Sequence, residues 1–195
     1  MRIIAGTYKS RKLIAPKGDV TRPTSDRARE SLFNVLNNLI GFDGISVLDL
    51  FAGSGAFAFE ALSRGAERAT LVEQNRKVIG TINENAETLE VQDKIEIIIK
   101  DVYSWINHLP APSLKMRGGY DIIFADPPYD DSQTVSDLPE AIFSSRLLNV
   151  DCIVIIEHRK GSHVVIPSNS LLIRELESGE AVFSIMKRSV EVVAS

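Results

Sequence analysis

From Ile45 onward, short apolar runs alternate with longer stretches in which apolar residues recur every three or four positions. The runs Ile45–Leu50, Ala69–Glu73, Ile95–Lys100, Tyr120–Ala125 and Asp151–Ile156 predict strands. The stretches between them, Gly55–Arg64, Asn75–Glu90, Val102–His108 and Val135–Leu147, predict helices. Strands that are apolar throughout suit a parallel sheet covered by helices on both faces. The end of the chain reads differently. Leu171–Glu177 and Ala181–Arg188 flank Ser178-Gly179, which predicts an antiparallel hairpin. The expected fold is therefore α/β and Rossmann-like, with a mostly parallel seven-stranded sheet. Before it, Arg2–Ala5 and Arg11–Ile14 read as a small β-hairpin. A helix follows, capped by Thr24 or Ser25, with Ala28, Leu32, Phe33, Val35, Leu36, Leu39 and Ile40 on its apolar positions. Residues 1–40 are thus an extension packed on a core domain of residues 41–195.

Charge changes this picture more than composition does. Of the 22 Lys and Arg, eight lie in residues 1–29, beside only Asp19 and Asp26. That segment carries +6 and the remainder −10. A basic segment on an acidic body suggests a polyanion held on one face. Arg11, Lys12, Arg22 and Arg27 are the candidates for phosphate contacts. The single cysteine, Cys152, lies in an apolar run and reads as a packed core thiol. With no intrachain disulfide and no long apolar span, a soluble cytoplasmic protein is expected. Trp105, at helical spacing, reads as core. His158 follows the fifth strand near the sheet's carboxyl edge and is a lesser site candidate.

The chemistry concentrates where strands end. Tyr120 to Tyr129 reads Tyr-Asp-Ile-Ile-Phe-Ala-Asp-Pro-Pro-Tyr. A buried strand runs there into a carboxylate, two prolines and a ring. Prolines offer carbonyl acceptors and no N–H. Asp126, the Pro127 carbonyl and the face of Tyr129 together suit a planar group bearing an NH2, such as a nucleobase amine.

The first strand ends in Asp49-Leu-Phe-Ala-Gly-Ser-Gly55, a glycine turn before a helix. Gly53 and Gly55 permit left-handed backbone and close approach of a ligand. Glu73, after the second strand, can accept from two ribose hydroxyls. Asp101, after the third, can accept from an adenine amine, with Val102 supplying an N–H and an apolar wall. Gly53-x-Gly55-x-x-Ala58 also matches a dinucleotide fingerprint, so NAD competes. Asp49 argues against it, because a carboxylate beside the turn repels a pyrophosphate. S-adenosylmethionine, cationic and without phosphate, suits Asp49 better.

These residues resemble class I S-adenosylmethionine-dependent amino-methyltransferases. More narrowly, Met-Arg-Ile-Ile-Ala-Gly6, Ser10-Arg-Lys12, Thr21-Arg-Pro-Thr24, Asp26-Arg-Ala-Arg-Glu30 and Leu32-Phe-Asn34 resemble the RsmD-type 16S rRNA (guanine-N2)-methyltransferases. The resemblance spans about residues 1–160. It implies methyl transfer to the N2 amine of a guanine in 16S rRNA, within the assembled or assembling small subunit, by a monomer that needs no metal. It implies Asp126, Pro127 and Tyr129 as catalytic residues. Asp49, Phe51, Gly53, Gly55, Glu73, Gln74, Asp101 and Val102 would hold the cofactor. The chain departs from the family pattern at Asn75, Ser10, Phe57, Phe59 and Ser178–Ala181. Two further readings compete with it: methylation of adenine N6 or of a protein side-chain amide, and a catalytically silent RNA-binding module.

Overall fold

The computed structural model describes residues 1–15, 25–109, 118–128 and 132–189, the side chains of residues 132–136 excepted. The elements in chain order are α1 (Asp26–Leu39), β1 (Ser46–Leu50), α2 (Ala56–Arg64), β2 (Arg68–Val72), α3 (Arg76–Leu89), β3 (Ile95–Ile98), α4 (Val102–Asn107), β4 (Tyr120–Ala125), α5 (Ser132–Ser144), β5 (Leu148–Arg159), β6 (Ser170–Ser178) and β7 (Ala181–Arg188). The seven strands form one sheet in the order β3-β2-β1-β4-β5-β7-β6. β1 to β5 pair in parallel, and β7 runs antiparallel to both β5 and β6.

Strand order reverses between β1 and β4, which are neighbours in space and distant in sequence. In open α/β sheets the crevice outside the carboxyl ends of such strands is where ligands bind. Each face of the sheet has its own core. Val47, Ile122, Phe124, Ile153 and Ile155 pack under α1, α2 and α3. Leu48, Ile123, Val154 and Ile156 pack against Trp105 of α4 and Leu138 of α5. Trp105 is thus core, as its spacing predicts. Cys152 is fully buried there, and burial pushes its thiol far above the ordinary range. Among the described residues no helix is long and apolar enough to cross a membrane.

The structure differs from the sequence reading in several boundaries and in the first hairpin. α5 begins and ends three residues earlier than its apolar spacing suggests, and β5 starts at Leu148 rather than Asp151. β3 stops at Ile98, two residues short of the predicted Lys100. The first hairpin is present but short: Arg2 and Lys12 form one antiparallel bridge, and the amides of Ile3, Ser10 and Leu13 donate to the carbonyls of Arg11, Ile3 and Met1. Side chains of the body explain why so little ladder forms. Glu60 of α2 is fully buried and accepts from the amides of Ile4 and Ala5 at 2.7 and 3.1 Å. Ser63 accepts from the Tyr8 amide, and Asn85 of α3 grips both backbone groups of Ile14. These amides are satisfied by α2 and α3 instead of by a partner strand. Ile3 and Leu13 bury their side chains in the adjoining core. Ser25, rather than Thr24, caps α1 by accepting from the Ala28 amide.

Candidate active site

The end of β1 is built from backbone that few residues tolerate. Phe51 has φ 60°, Gly53 54° and Gly55 76°. At Gly55 a β-carbon would lie 2.6 Å from the Phe59 ring and 3.0 Å from Leu71, so only glycine fits. At Gly53 the same atom would meet nothing nearer than 3.9 Å, which leaves its outer side open to a ligand. The Phe51 ring sits edge-on to Tyr103 of α4, centroids 6.4 Å apart.

Three acids end successive strands, and backbone amides hold all three. Asp49 is buried, and its Oδ2 accepts from the Ala58 amide at 3.2 Å. Glu73 accepts from the Gly53 amide at 3.1 Å with one oxygen and from Asn75 at 2.8 Å with the other. Asp101 caps α4 by accepting from the Ser104 amide at 2.8 Å. Gln74 is exposed beside Glu73, and Val102 is buried. Asn75 caps α3, as a carboxylate there would. Burial holds the Asp49 carboxyl well above the usual range; the Ala58 amide opposes this and the charge of Glu73 adds to it.

These bonds bear on the choice of cofactor. A pyrophosphate needs the N–H groups of the glycine turn and of the following helix N-terminus. Here Glu73 takes the Gly53 amide and Asp49 takes the Ala58 amide. These carboxylate acceptors suit hydroxyls and cations, and a cationic, phosphate-free nucleoside fits them.

β4 brings the second half of the site beside the first. The Asp126 amide donates to the Leu50 carbonyl at 3.4 Å, continuing the β1–β4 pairing past the last strand residue. Pro127 is buried and Pro128 exposed. Burial first, then the charges of Glu157 and Asp49, hold the Asp126 carboxyl well above the usual range. Tyr129 and Arg22 lie outside the described residues. Among the described residues, no group of three or more His, Cys, Asp or Glu is arranged to hold a metal ion.

The other candidates lie apart from this crevice. Arg11 is exposed and donates to the Thr88 carbonyl near the end of α3, and Lys12 is exposed in the bridge to Arg2. Arg27 and Ser31 of α1, with the cap residue Ser25 and Glu177 to Gly179 where β6 turns into β7, line a separate groove of about 540 Å3. Two cations of the basic segment are already matched, since both Arg2 and Arg29 pair with Asp26. His158 faces the opposite side of the sheet. Its Nε2 lies 3.0 Å from the Ser184 hydroxyl, which donates to Glu175. Burial lowers its proton affinity, and it serves the packing of β5 against β7. The sequence reading passed over its neighbour Glu157, which is buried on the face of Asp49 and Asp126.

Known proteins share this architecture. The solved structure of yhhF from Escherichia coli superposes with a TM-score of 0.80, at 30% identity, covering 98% of this chain and 99% of that one. SMU.776, solved in complex with SAH, shares the fold at a TM-score of 0.64 and 17% identity, covering 82% of this chain and 49% of that one. Ribosomal RNA small subunit methyltransferase D of Haemophilus influenzae is 33% identical, over 92% of this chain and 89% of its own. Its Escherichia coli K12 counterpart is 31% identical, over 98% and 91%. A family model described as Conserved hypothetical protein 95 matches residues 1–187, and with these relatives it establishes that the chain belongs to that family, the RsmD methyltransferases.

Proposed function

We propose that the protein transfers a methyl group from S-adenosylmethionine to the N2 amine of a guanine in 16S rRNA, in the cytoplasm, as a monomer acting on the small subunit. One observation carries the reading. The β1–β4 adjacency sets an acid-lined glycine turn suited to a cationic nucleoside directly beside Asp126-Pro127, a pair suited to an amine.

The donor supplies a methyl group on a sulfonium. Asp49 offers negative charge to its cationic end, and Glu73 keeps lone pairs for two ribose hydroxyls. The Asp101 oxygen that does not cap α4 takes the adenine amine. Phe51 and Val102 give apolar contact, with Gly53, Gly55 and Gln74 around the ligand. On the other side, Asp126 and the Pro127 carbonyl accept the two N–H bonds of the guanine amine. That hold turns the nitrogen lone pair toward the methyl carbon, and such positioning contributes up to roughly 7–11 kcal/mol in model reactions. Asp126 also stabilises the charge that grows on nitrogen. Tyr129 stacks on the base, which enters unstacked from its neighbours.

Residues 1–40 hold the RNA. Arg11, Lys12, Arg22 and Arg27 contact phosphates and position the substrate without reading its sequence. The placement of Arg11 and Lys12 on a segment tied to α2 and α3 supports this, since it fixes their basic surface relative to the glycine turn. The test offers methyl-tritiated donor with 30S subunits, free 16S rRNA and duplex DNA. Label is expected in 16S rRNA as N2-methylguanine; label in DNA or at adenine N6 overturns the assignment.

A further inference from the structure

Glu157 has no part in the mechanism above, yet it stands beside its central residue. β4 and β5 run parallel with Ala125 opposite Ile156, so the next residues, Asp126 just past β4 and Glu157 within β5, lie side by side. Their faces agree, because Phe124 and Ile155, each two residues earlier, pack in a single cluster. Glu157 is only 2% exposed and lies opposite the fully buried Phe183 of β7. Among the described residues, the charges that act on Asp126 are those of Glu157 and of Asp49 from β1, and Glu73 after β2 acts in turn on Asp49. α2 presents the Phe57 ring, stacked 4.1 Å from Phe124, and the Ala58 amide. Arg29 of α1 is committed to Asp26 and the Arg2 carbonyl.

A carboxylate buried beside a like charge binds protons more tightly, because a proton relieves the repulsion. Resting on the function proposed above, we propose that Glu157 tunes Asp126 from the adjacent strand, so that Asp126 takes the proton the guanine amine sheds on methylation. In that step the N2 lone pair forms the N–C bond as the C–S bond breaks, and sulfur keeps the bonding pair. The nitrogen becomes cationic, and one of its protons moves to an Asp126 oxygen, restoring a neutral methylated amine. Asp126 then returns the proton to water. Without Glu157, Asp126 keeps only the rise caused by burial and by Asp49, and is a poorer acceptor. Glu157 is a positioning residue here, since it acts through Asp126 and touches no substrate. The raised proton affinity of Asp126, caused by burial and then by Glu157, agrees with this role.

The test follows the Asp126 carboxyl by 13C NMR in the unliganded protein, so that its readout does not depend on turnover. Glu157→Gln is expected to move the Asp126 titration midpoint to lower pH. The acid limb of kcat should move the same way, and plateau kcat should fall by about 10-fold, less than the roughly 10²–10⁴-fold lost when an acid–base group is removed outright. Glu157→Asp keeps the charge and should leave the midpoint near that of the wild type. An unmoved midpoint in Glu157→Gln overturns the proposal, as does a Glu157→Asp midpoint displaced by as much as that of Glu157→Gln. Asp126→Ala is the control for the underlying reading. If it retains turnover, the assignment of the site fails and this proposal fails with it. If it is inactive while the Glu157 variants titrate like wild type, only the role of Glu157 is lost.

Discussion

Along β1, β2 and β3, each acid that ends a strand is anchored by backbone amides: Asp49 by Ala58, Glu73 by Gly53 and Asn75, Asp101 by Ser104. Along β4 and β5, Asp126 and Glu157 instead stand beside each other on paired strands, and burial, with repulsion added to it, holds the proton on Asp126. The first half fixes where oxygen atoms are and so works through geometry. The second half fixes how tightly a proton is held and so works through charge. A group that must bind the same ligand shape each time benefits from fixed acceptors. A group that must change protonation during turnover benefits from an environment that resists its charge.

The largest expected effect separates the halves. Asp126→Ala should lower methyl transfer by roughly 10²–10⁴-fold, the range for loss of an acid–base group, with the dissociation constant for S-adenosylmethionine nearly unchanged. Single-turnover kinetics and calorimetry would measure both. Loss of donor binding in this variant would mean the halves are one unit.

Glu73→Ala should do the converse. Hydrogen bonds to a charged group contribute about 1.5–3 kcal/mol, so donor affinity should drop roughly 10–100-fold. The rate at saturating donor should stay close to that of the wild type. A drop in that rate with donor affinity intact would move Glu73 out of the donor half.

The smallest effect concerns stability. Burial raises the Asp49 carboxyl well above its ordinary 3.8. Its contribution is therefore fully present below that value and is lost as pH rises through the folded-state value. The unliganded wild type should lose stability as pH increases toward neutrality, while donor affinity increases as the carboxylate forms. Asp49→Asn should flatten both trends. Its melting temperature at neutral pH should rise by about 2–4 °C for each kcal/mol relieved in a chain of this size. Thermal melts across pH, with and without donor, would check this. A steeper stability profile in the variant would refute the account of Asp49.

Much of this was legible in the chain itself. Apolar runs marked the parallel strands, and the acids at their ends marked the crevice, because ligand sites in such sheets lie at carboxyl edges. Faces were harder to read. Cys152-Ile-Val-Ile-Ile156 is apolar at every position, so its alternation carries no signal of which side is which. A one-residue shift exchanges the two faces of a strand. That is why His158 attracted attention as a site candidate while Glu157 did not. The grip of Glu60, Ser63 and Asn85 on residues 1–15 was hidden for another reason. Each bond joins positions more than 50 residues apart, and a buried Glu inside an amphipathic helix looks the same in sequence as a solvated one.

Asn85 carries a consequence for motion. Its side-chain amide donates at once to the carbonyl of Ile14 and to that of Ser54 in the glycine turn, and Asn85 is itself fully buried. The first fifteen residues and the turn thus share one anchor. With Glu60 holding Ile4 and Ala5, Ser63 holding Tyr8 and Asn85 holding Ile14, these amides exchange only when their anchors on α2 and α3 open. Ile4, Ala5, Tyr8 and Ile14 should accordingly retain their protons on the timescale of the central strands, and a ligand that stiffens the glycine turn should slow the exchange of Ile14.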